Sequence, residues 1–498
     1  GSKLGFIMAA SGSAIGLGNI VFFGANAYKF GAGAFYFPYL LALCFVGIPV
    51  MILELGLGHY THSAFPESLY RVAGRKGEFF GWWGVLNATF ITMYYITILA
   101  WVSGMLLGSF GSLWKPFSAV TAFGLDKMAN PQGYFFNMLS SWKTVGLVVV
   151  VWIFNILIVW RGPKTIEPVV KVFVPLMWVF MIILIVRGIT LPQGVEGIYL
   201  LFTPNLSIMG DPKVWQGAFS QIFFTLSLGF GIMTAYASYL PRKSDQVNNA
   251  LATSFMNCGF EFIAGLAIFS LLFAFAIVPR ASTLSMMFFV IPQGINALPG
   301  GVVLFGLLFF ILLLLAGLSS SISLIEALVA AVMDKYRLTR KKILFVFSTV
   351  GCIGSIFFAL PIIIDPPLKS DGTLGLTLLD LTDHYAFSHG LLITGLVECL
   401  FIGWVLPVRK LREAINQFTR IRLPGIFDYF VKILIPAILL FILGYSISEL
   451  LKKGIYGHDF NLEFGKWLPV GILVIWLAGT TIIGLVLTFA GDYKKERR

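Results

Sequence analysis

Twelve stretches of this 498-residue chain are each long and apolar enough to cross a lipid bilayer, and no other feature limits its fold so tightly. A hydrocarbon core about 30 Å thick takes about 20 apolar residues of helix, and it offers no partner to backbone groups that the helix leaves unsatisfied. The runs lie near residues 5–28, 33–57, 80–110, 144–160, 166–187, 214–240, 247–279, 299–333, 342–364, 378–407, 426–450 and 466–490. Numbered helix 1 to helix 12 in chain order, they predict an all-α integral membrane protein with twelve transmembrane helices. Composition agrees: 58% of residues are hydrophobic and 12% charged, against roughly 25% charged in soluble domains. A soluble enzyme is excluded.

The net charge of +12 does not point to nucleic acid, because so few charges form no basic face. About two thirds of the lysines and arginines fall in segments on the N-terminal side of the bilayer, the asymmetry expected of cytoplasmic loops. This predicts a multi-pass protein of the cell inner (plasma) membrane with both termini cytoplasmic. The chain opens on an apolar, glycine-rich segment that does not read as a cleavable leader. Cys44, Cys258, Cys352 and Cys399 all lie in apolar runs, where they are expected to be small buried hydrophobes outside any disulfide framework.

Two runs are interrupted by glycine: GSAIGLGN (12–19) in helix 1 and TLSLGFG (225–231) in helix 6. One such interruption reads most simply as close helix packing. Two of them five helices apart define two five-helix halves, and because five is odd the halves lie in opposite orientations. That is the inverted-repeat pattern of secondary transporters, whose binding site forms at the midplane between discontinuous helices. The expected division is 1–190 for the first repeat, 191–410 for the second, and 411–498 for helices 11 and 12 with the C-terminal tail.

A helix opened in hydrocarbon exposes backbone groups at several kcal/mol each, so the breaks predict ligands. Carbonyls around Gly12, Ala14 and Ile15 suit a small hard cation, while the N–H groups of Leu17 and Gly18 open a helix whose positive end suits a carboxylate. Asn19, Thr225, Ser227, Asn257 and the run Ala316–Ser321 supply oxygen ligands, which favour sodium over zinc or copper. Taken singly, each hydroxyl reads as helix-packing glue; combined with two breaks they read as ligands. Of the carboxylates within runs, Glu261 follows Asn257 by one helical turn and so belongs beside the cation, whereas Glu54, Glu326 and Glu398 read as structural. Tyr94 and Tyr95 read as packing with a hydroxyl that needs a partner, and Phe224 and Phe230 flank the helix 6 break as walls for an apolar ligand or as seals of the bundle core. No phosphate-binding loop, zinc-protease motif or nucleophile elbow is present in the sequence.

GSAIGLGNI, FGAGAFYFPY, QIFFTLSLGFG, AGLSSS and LDLTDH before LFIGW, in that order across nearly the whole chain, resemble the neurotransmitter:sodium symporter family, especially its bacterial amino-acid members. The resemblance implies the fold of the bacterial leucine transporter, with a five-plus-five inverted repeat and discontinuous helices 1 and 6. It implies two sodium sites: Ala14 carbonyl, Asn19, Thr225 and Asn257, completed by the substrate carboxylate; and carbonyls of Gly12, Ile15 and Ala316 with hydroxyls of Ser319 and Ser320. It places the substrate carboxylate on Leu17, Gly18 and Tyr95. The amino group falls to Ala14, Phe224, Thr225 and Ser227, and the side chain to Ser13, Ile91, Tyr95, Phe224, Phe230, Ser320 and Leu324. Such a lining favours a hydrophobic or aromatic amino acid.

Glu261 stands where chloride-independent members of that family carry a glutamate, so the resemblance implies no chloride requirement. At the outer gate the family's tryptophan-arginine-phenylalanine-proline run reads Val21-Phe22-Phe23-Gly24, which leaves Asp383 without an arginine. Phe22 is expected to gate by packing on rings such as Tyr95 or Phe230, with Asp383 hydrated or bound to substrate. A sodium-independent exchanger of amino acid-like or other small zwitterionic solutes is the competing transporter reading. A channel would show conductance without substrate coupling, and a membrane-embedded enzyme would need a catalytic constellation that this sequence does not display.

Overall fold

The computed structural model describes residues 3–115, 131–203, 206–279, 282–360, 374–457 and 467–493. Among them every regular element is a helix, the one open-ended structure that satisfies its own backbone in hydrocarbon. Helix 1 is Lys3–Ala14 followed by Gly18–Lys29, bent by 54°. Helix 2 is Gly33–Thr61, and helix 3 lies within Phe65–Gly108, where Gly74 at φ +61° turns a short leading helix into the span. Helices 4 and 5 are Lys143–Val159 and Pro163–Ile189. Helix 6 is Pro212–Thr225 and Ile232–Ser238, separated by residues 226–231. Helices 7 to 12 are Gln246–Ala274, Val302–Tyr336, Arg340–Phe358, Leu376–Val405, Ile426–Lys453 and Trp467–Phe489. Among the described residues nine helices are long and apolar enough to cross a membrane, eleven with two bent pairs counted.

Burial sorts these helices into an inner and an outer set. The most apolar windows of helices 2 and 3 are each 72% buried, against 22% for helix 5 and 17% for helix 12. The windows of helices 7, 10 and 8, at 67%, 61% and 56%, fall with the inner set, and helices 1 and 6 join it through the buried residues at their breaks. Backbone meets backbone where Gly58 of helix 2 faces Thr234 of helix 6, since a Cβ there would run into the Thr234 carbonyl. The outer helices turn Phe345, Phe441 and Ile482 outward, as a lipid-facing surface permits.

The same geometry corrects the cysteine expectation. Cys258 and Cys399 are buried, but Cys352 is half-buried and Cys44 is exposed beside the exposed Phe45. An apolar run buries a residue against protein on one face only; the opposite face meets lipid.

Where helix 8 ends, the buried Lys335 pairs with Glu78 at the start of helix 3. Its ammonium also donates to the carbonyls of Leu487 and, at 2.9 Å, Thr488, both in the last turn of helix 12. Arg75 adds contacts to Glu78 (3.0 Å), the Thr488 carbonyl and Asp492. The last carbonyls of a helix have no intrahelical donor and sit at its negative end, so cations are their natural partners.

Candidate functional site

Both breaks open onto the centre of the bundle, and Asn19 joins them. Its Oδ1 accepts the N–H of Gly16 at 2.8 Å, which holds the turn after Ala14. Its Nδ2 donates to Thr225 Oγ1 (2.9 Å), the last residue of the first half of helix 6, and to Asn257 Oδ1 (2.7 Å) on helix 7. Asn257 Nδ2 donates in turn to Thr225 Oγ1 at 2.9 Å. All three side chains are buried. Glu261, one turn beyond Asn257 and also buried, accepts from Tyr39, Gln221 and Thr225, the last at 3.2 Å. Three mutually hydrogen-bonded side chains, each carrying an oxygen and set next to a carboxylate, offer the neutral oxygen chemistry that a hard monovalent cation takes. Tyr39 and Gln221 were not singled out from sequence; both lie in the motifs FYFPY and QIFFT, but nothing in their spacing assigns them to Glu261.

A second oxygen group forms where Ser319 of helix 8 donates to the carbonyls of Ile15 (3.3 Å) and Ala316 (2.8 Å). Ser320 is turned away from this group and donates to the Ser13 carbonyl at 2.9 Å. Gly12 abuts Val170 and Val174 of helix 5. Of the five residues expected at the second cation site, the structure thus joins Ile15, Ala316 and Ser319 by hydrogen bonds, and places Ser320 on the neighbouring cavity.

That cavity holds about 370 Å³ of space between atoms and is lined by Ser13, Ala14, Gly16, Gly18, Asn19, Ile91, Tyr95, Phe224, Ser227, Phe230, Ile232, Ser320 and Leu324. Ten of the expected substrate residues are there. Leu17 and Thr225 are not: the Leu17 N–H donates to Tyr95 Oη at 3.3 Å, and Thr225 faces the asparagines. Gly16 and Ile232 are additional. A Cβ on Gly16 would collide with Ser320 Oγ and crowd Tyr95 Oη, so its place in the glycine-rich stretch reflects close packing at the cavity wall. Ile232 is the first residue after the second break, a position from which it could have been read. The Ser227 hydroxyl reaches the Ser13 carbonyl at 3.2 Å, so the two breaks also touch directly.

The expected partners of Phe22 are corrected. Its ring packs on Phe224 (centroids 5.2 Å apart) and edge-on to Phe387 (6.1 Å), while Phe224 and Phe387 lie 4.3 Å apart. Helix 10 supplies the third ring, Phe387, from outside the neighbourhood of the helix 6 break in sequence. Asp383 is neither free nor aimed into the cavity, since the Tyr94 hydroxyl donates to its Oδ1 at 2.7 Å. Among the other carboxylates, Glu54 Oε1 accepts the N–H of Gly229 in the helix 6 break at 2.7 Å. Glu326 holds Arg340 and the Tyr239 hydroxyl (2.9 Å), and neither oxygen of the buried Glu398 has a hydrogen-bond partner among the described residues.

Comparison with known proteins places this geometry. The model of the sodium:neurotransmitter symporter family matches residues 1–124 and 125–491. An uncharacterized sodium-dependent transporter of Methanocaldococcus jannaschii is 38% identical, with 96% of this chain and 95% of the relative covered. The sodium-dependent serotonin transporter of Drosophila melanogaster is 30% identical over 93% of this chain and 79% of its own. Among solved structures, that of MhsT in complex with L-phenylalanine matches with a TM-score of 0.79 and 30% identity, over 90% of this chain and 99% of that one.

Proposed function

The chain belongs to the sodium:neurotransmitter symporter family, and from that premise we propose that it imports a small hydrophobic or aromatic amino acid together with sodium by alternating access. The observation that carries this reading is the Asn19–Thr225–Asn257 network, whose Asn19 also lines the cavity that Ile91, Tyr95, Phe224, Phe230 and Leu324 face. Hard oxygens suit the ion, and the apolar lining suits a hydrophobic side chain. The L-phenylalanine bound by MhsT is consistent with that choice.

In this reading two sodium ions are cargo. One takes Asn19, Thr225, Asn257 and the Ala14 carbonyl, and is completed by the substrate carboxylate; the other takes carbonyls of Gly12, Ile15 and Ala316 with Ser319 and Ser320. The substrate carboxylate meets Gly18, Leu17 and the Tyr95 hydroxyl, while its amino group meets Ser227 and the carbonyls of Ala14, Phe224 and Thr225. Glu261 supplies the fixed negative charge that makes chloride unnecessary. Phe22, Phe224 and Phe387 form an outer lid without an ion pair.

Twelve helices in two inverted five-helix repeats (1–190 and 191–410), followed by 411–498, lie in the cell inner membrane with both termini in the cytoplasm. The test is thermal stabilisation of the purified protein by a panel of amino acids, in sodium and in choline at equal ionic strength. Apolar and aromatic amino acids are expected to stabilise it in sodium only. Stabilisation that is equal in choline would favour a sodium-independent exchanger and reject the symport reading.

A further inference from the structure

Helix 7 carries a line of buried oxygens that the site described above does not use. Counting back from Asn257, the residues Thr253, Asn249 and Gln246 follow at steps of four, four and three, so at 3.6 residues per turn they share one face, with Ser254 at its edge. All are buried, and Gln246 Oε1, Asn249 Oδ1, Thr253 Oγ1 and Ser254 Oγ have no hydrogen-bond partner among the described residues. The amide nitrogens on the same line are already engaged, Gln246 Nε2 with the Ser244 carbonyl at 3.2 Å and Asn249 Nδ2 with Ser244 Oγ at 3.3 Å. What is left unpaired along the line is therefore a row of oxygens, two from amides and two from hydroxyls.

The hydroxyls on this line depart from a habit common elsewhere in the chain. A serine or threonine in an apolar helix ordinarily donates to the carbonyl four residues back, as Thr92, Ser270, Thr394 and Thr480 do here at 2.6–2.9 Å. Thr253 and Ser254 do not. Leaving a buried polar group unpaired costs roughly as much as a hydrogen bond is worth, so four together point to a shared polar occupant.

Neutral oxygens without a carboxylate among them suit a monovalent cation with part of its water shell, and they hold it too weakly for a permanent site. Glu261 and Asn257 stand at one end of the line. Asp245, which caps the helix by accepting the Asn248 N–H at 3.0 Å, stands at the other. The distance between Asn257 and Gln246 is about 16 Å at 1.5 Å per residue.

We propose that this face of helix 7 is a hydrated path by which sodium leaves the Asn19–Thr225–Asn257 site toward the cytoplasm. The inference rests on the sodium-site reading above. Its test uses the full chain in proteoliposomes with a sodium-sensitive dye trapped inside, which reports a single round of inward sodium release, alongside equilibrium substrate binding as a function of sodium. Thr253→Val with Ser254→Ala removes two oxygens at nearly constant volume. Release is expected to slow about tenfold with the sodium dependence of binding unchanged, and Thr253→Ser is expected to release at the native rate. Unchanged release in the double variant would overturn the path. So would a loss of sodium affinity as large as the loss of release rate, because that would make Thr253 part of the resting site. Binding that shows no sodium dependence in the native protein would instead overturn the sodium-site reading itself.

Discussion

Phe22→Ala is expected to open the outer lid. The Phe22 ring touches Phe224 and Phe387, and an aromatic pair is worth about 0.5–1.5 kcal/mol beyond the area it buries. Losing both contacts costs about 1–3 kcal/mol of closed-state stability, which at 1.36 kcal/mol per tenfold accelerates substrate escape by roughly 5- to 150-fold. Asp383→Asn is expected to do less. The asparagine oxygen still accepts from Tyr94, so only the charge assistance of that 2.7 Å bond is lost, about 1 kcal/mol or roughly fivefold. The assay is dissociation of a radiolabelled amino acid from purified protein after rapid dilution in constant sodium, on both variants and on Phe22→Leu as an intermediate. If Asp383→Asn releases substrate faster than Phe22→Ala, the carboxylate closes the gate and the reasoning from ring packing is wrong.

Substrate and sodium are expected to raise each other's affinity by the same factor, since the carboxylate completes a sodium shell and coupling between sites is reciprocal; matched titrations in sodium and choline measure both factors, and equal affinities would reject the shared shell. Transport by the native protein is expected to be indifferent to chloride, whereas Glu261→Ser is expected to lose most uptake and regain it when chloride is supplied; uptake that requires chloride in the native protein would remove Glu261 from this role. Glu54→Ala leaves the Gly229 N–H without its acceptor, which predicts a loss of about 1–3 kcal/mol, read as a lowered midpoint of thermal unfolding. A midpoint unchanged from the native protein would mean that the break finds another acceptor.

The breaks were legible because glycine clusters inside an apolar run are improbable for any purpose other than close approach or opening, and the helix ends at Ala14 and Thr225 fall at those clusters. Asn19, Thr225 and Asn257 were legible by chemistry, being hydrogen-bonding side chains in otherwise apolar surroundings, and they meet. What was hidden is what spacing does not encode. Phe387 is one of forty-eight phenylalanines and gains its role only because helix 10 crosses above the helix 6 break. Tyr94 reaches Asp383 across 289 residues of sequence. The exposed Cys44 was misread for the same reason, because in a membrane protein apolar character marks both the core and the lipid-facing surface.

The grip of Lys335 on the last turn of helix 12 sets an order of events during synthesis. Its carbonyl partners lie 152 and 153 residues further along the chain. At about 5–20 residues per second the ribosome needs on the order of ten seconds to make them. Until then helix 8, which carries Ser319 and Ser320, ends in an ammonium paired with Glu78 but lacking those two carbonyls. The peripheral helix, which contributes no residue to the cavity lining, is therefore the last to reach this cation, and a chain cut short of Leu487 lacks both carbonyls that cap the end of helix 8 in the finished protein.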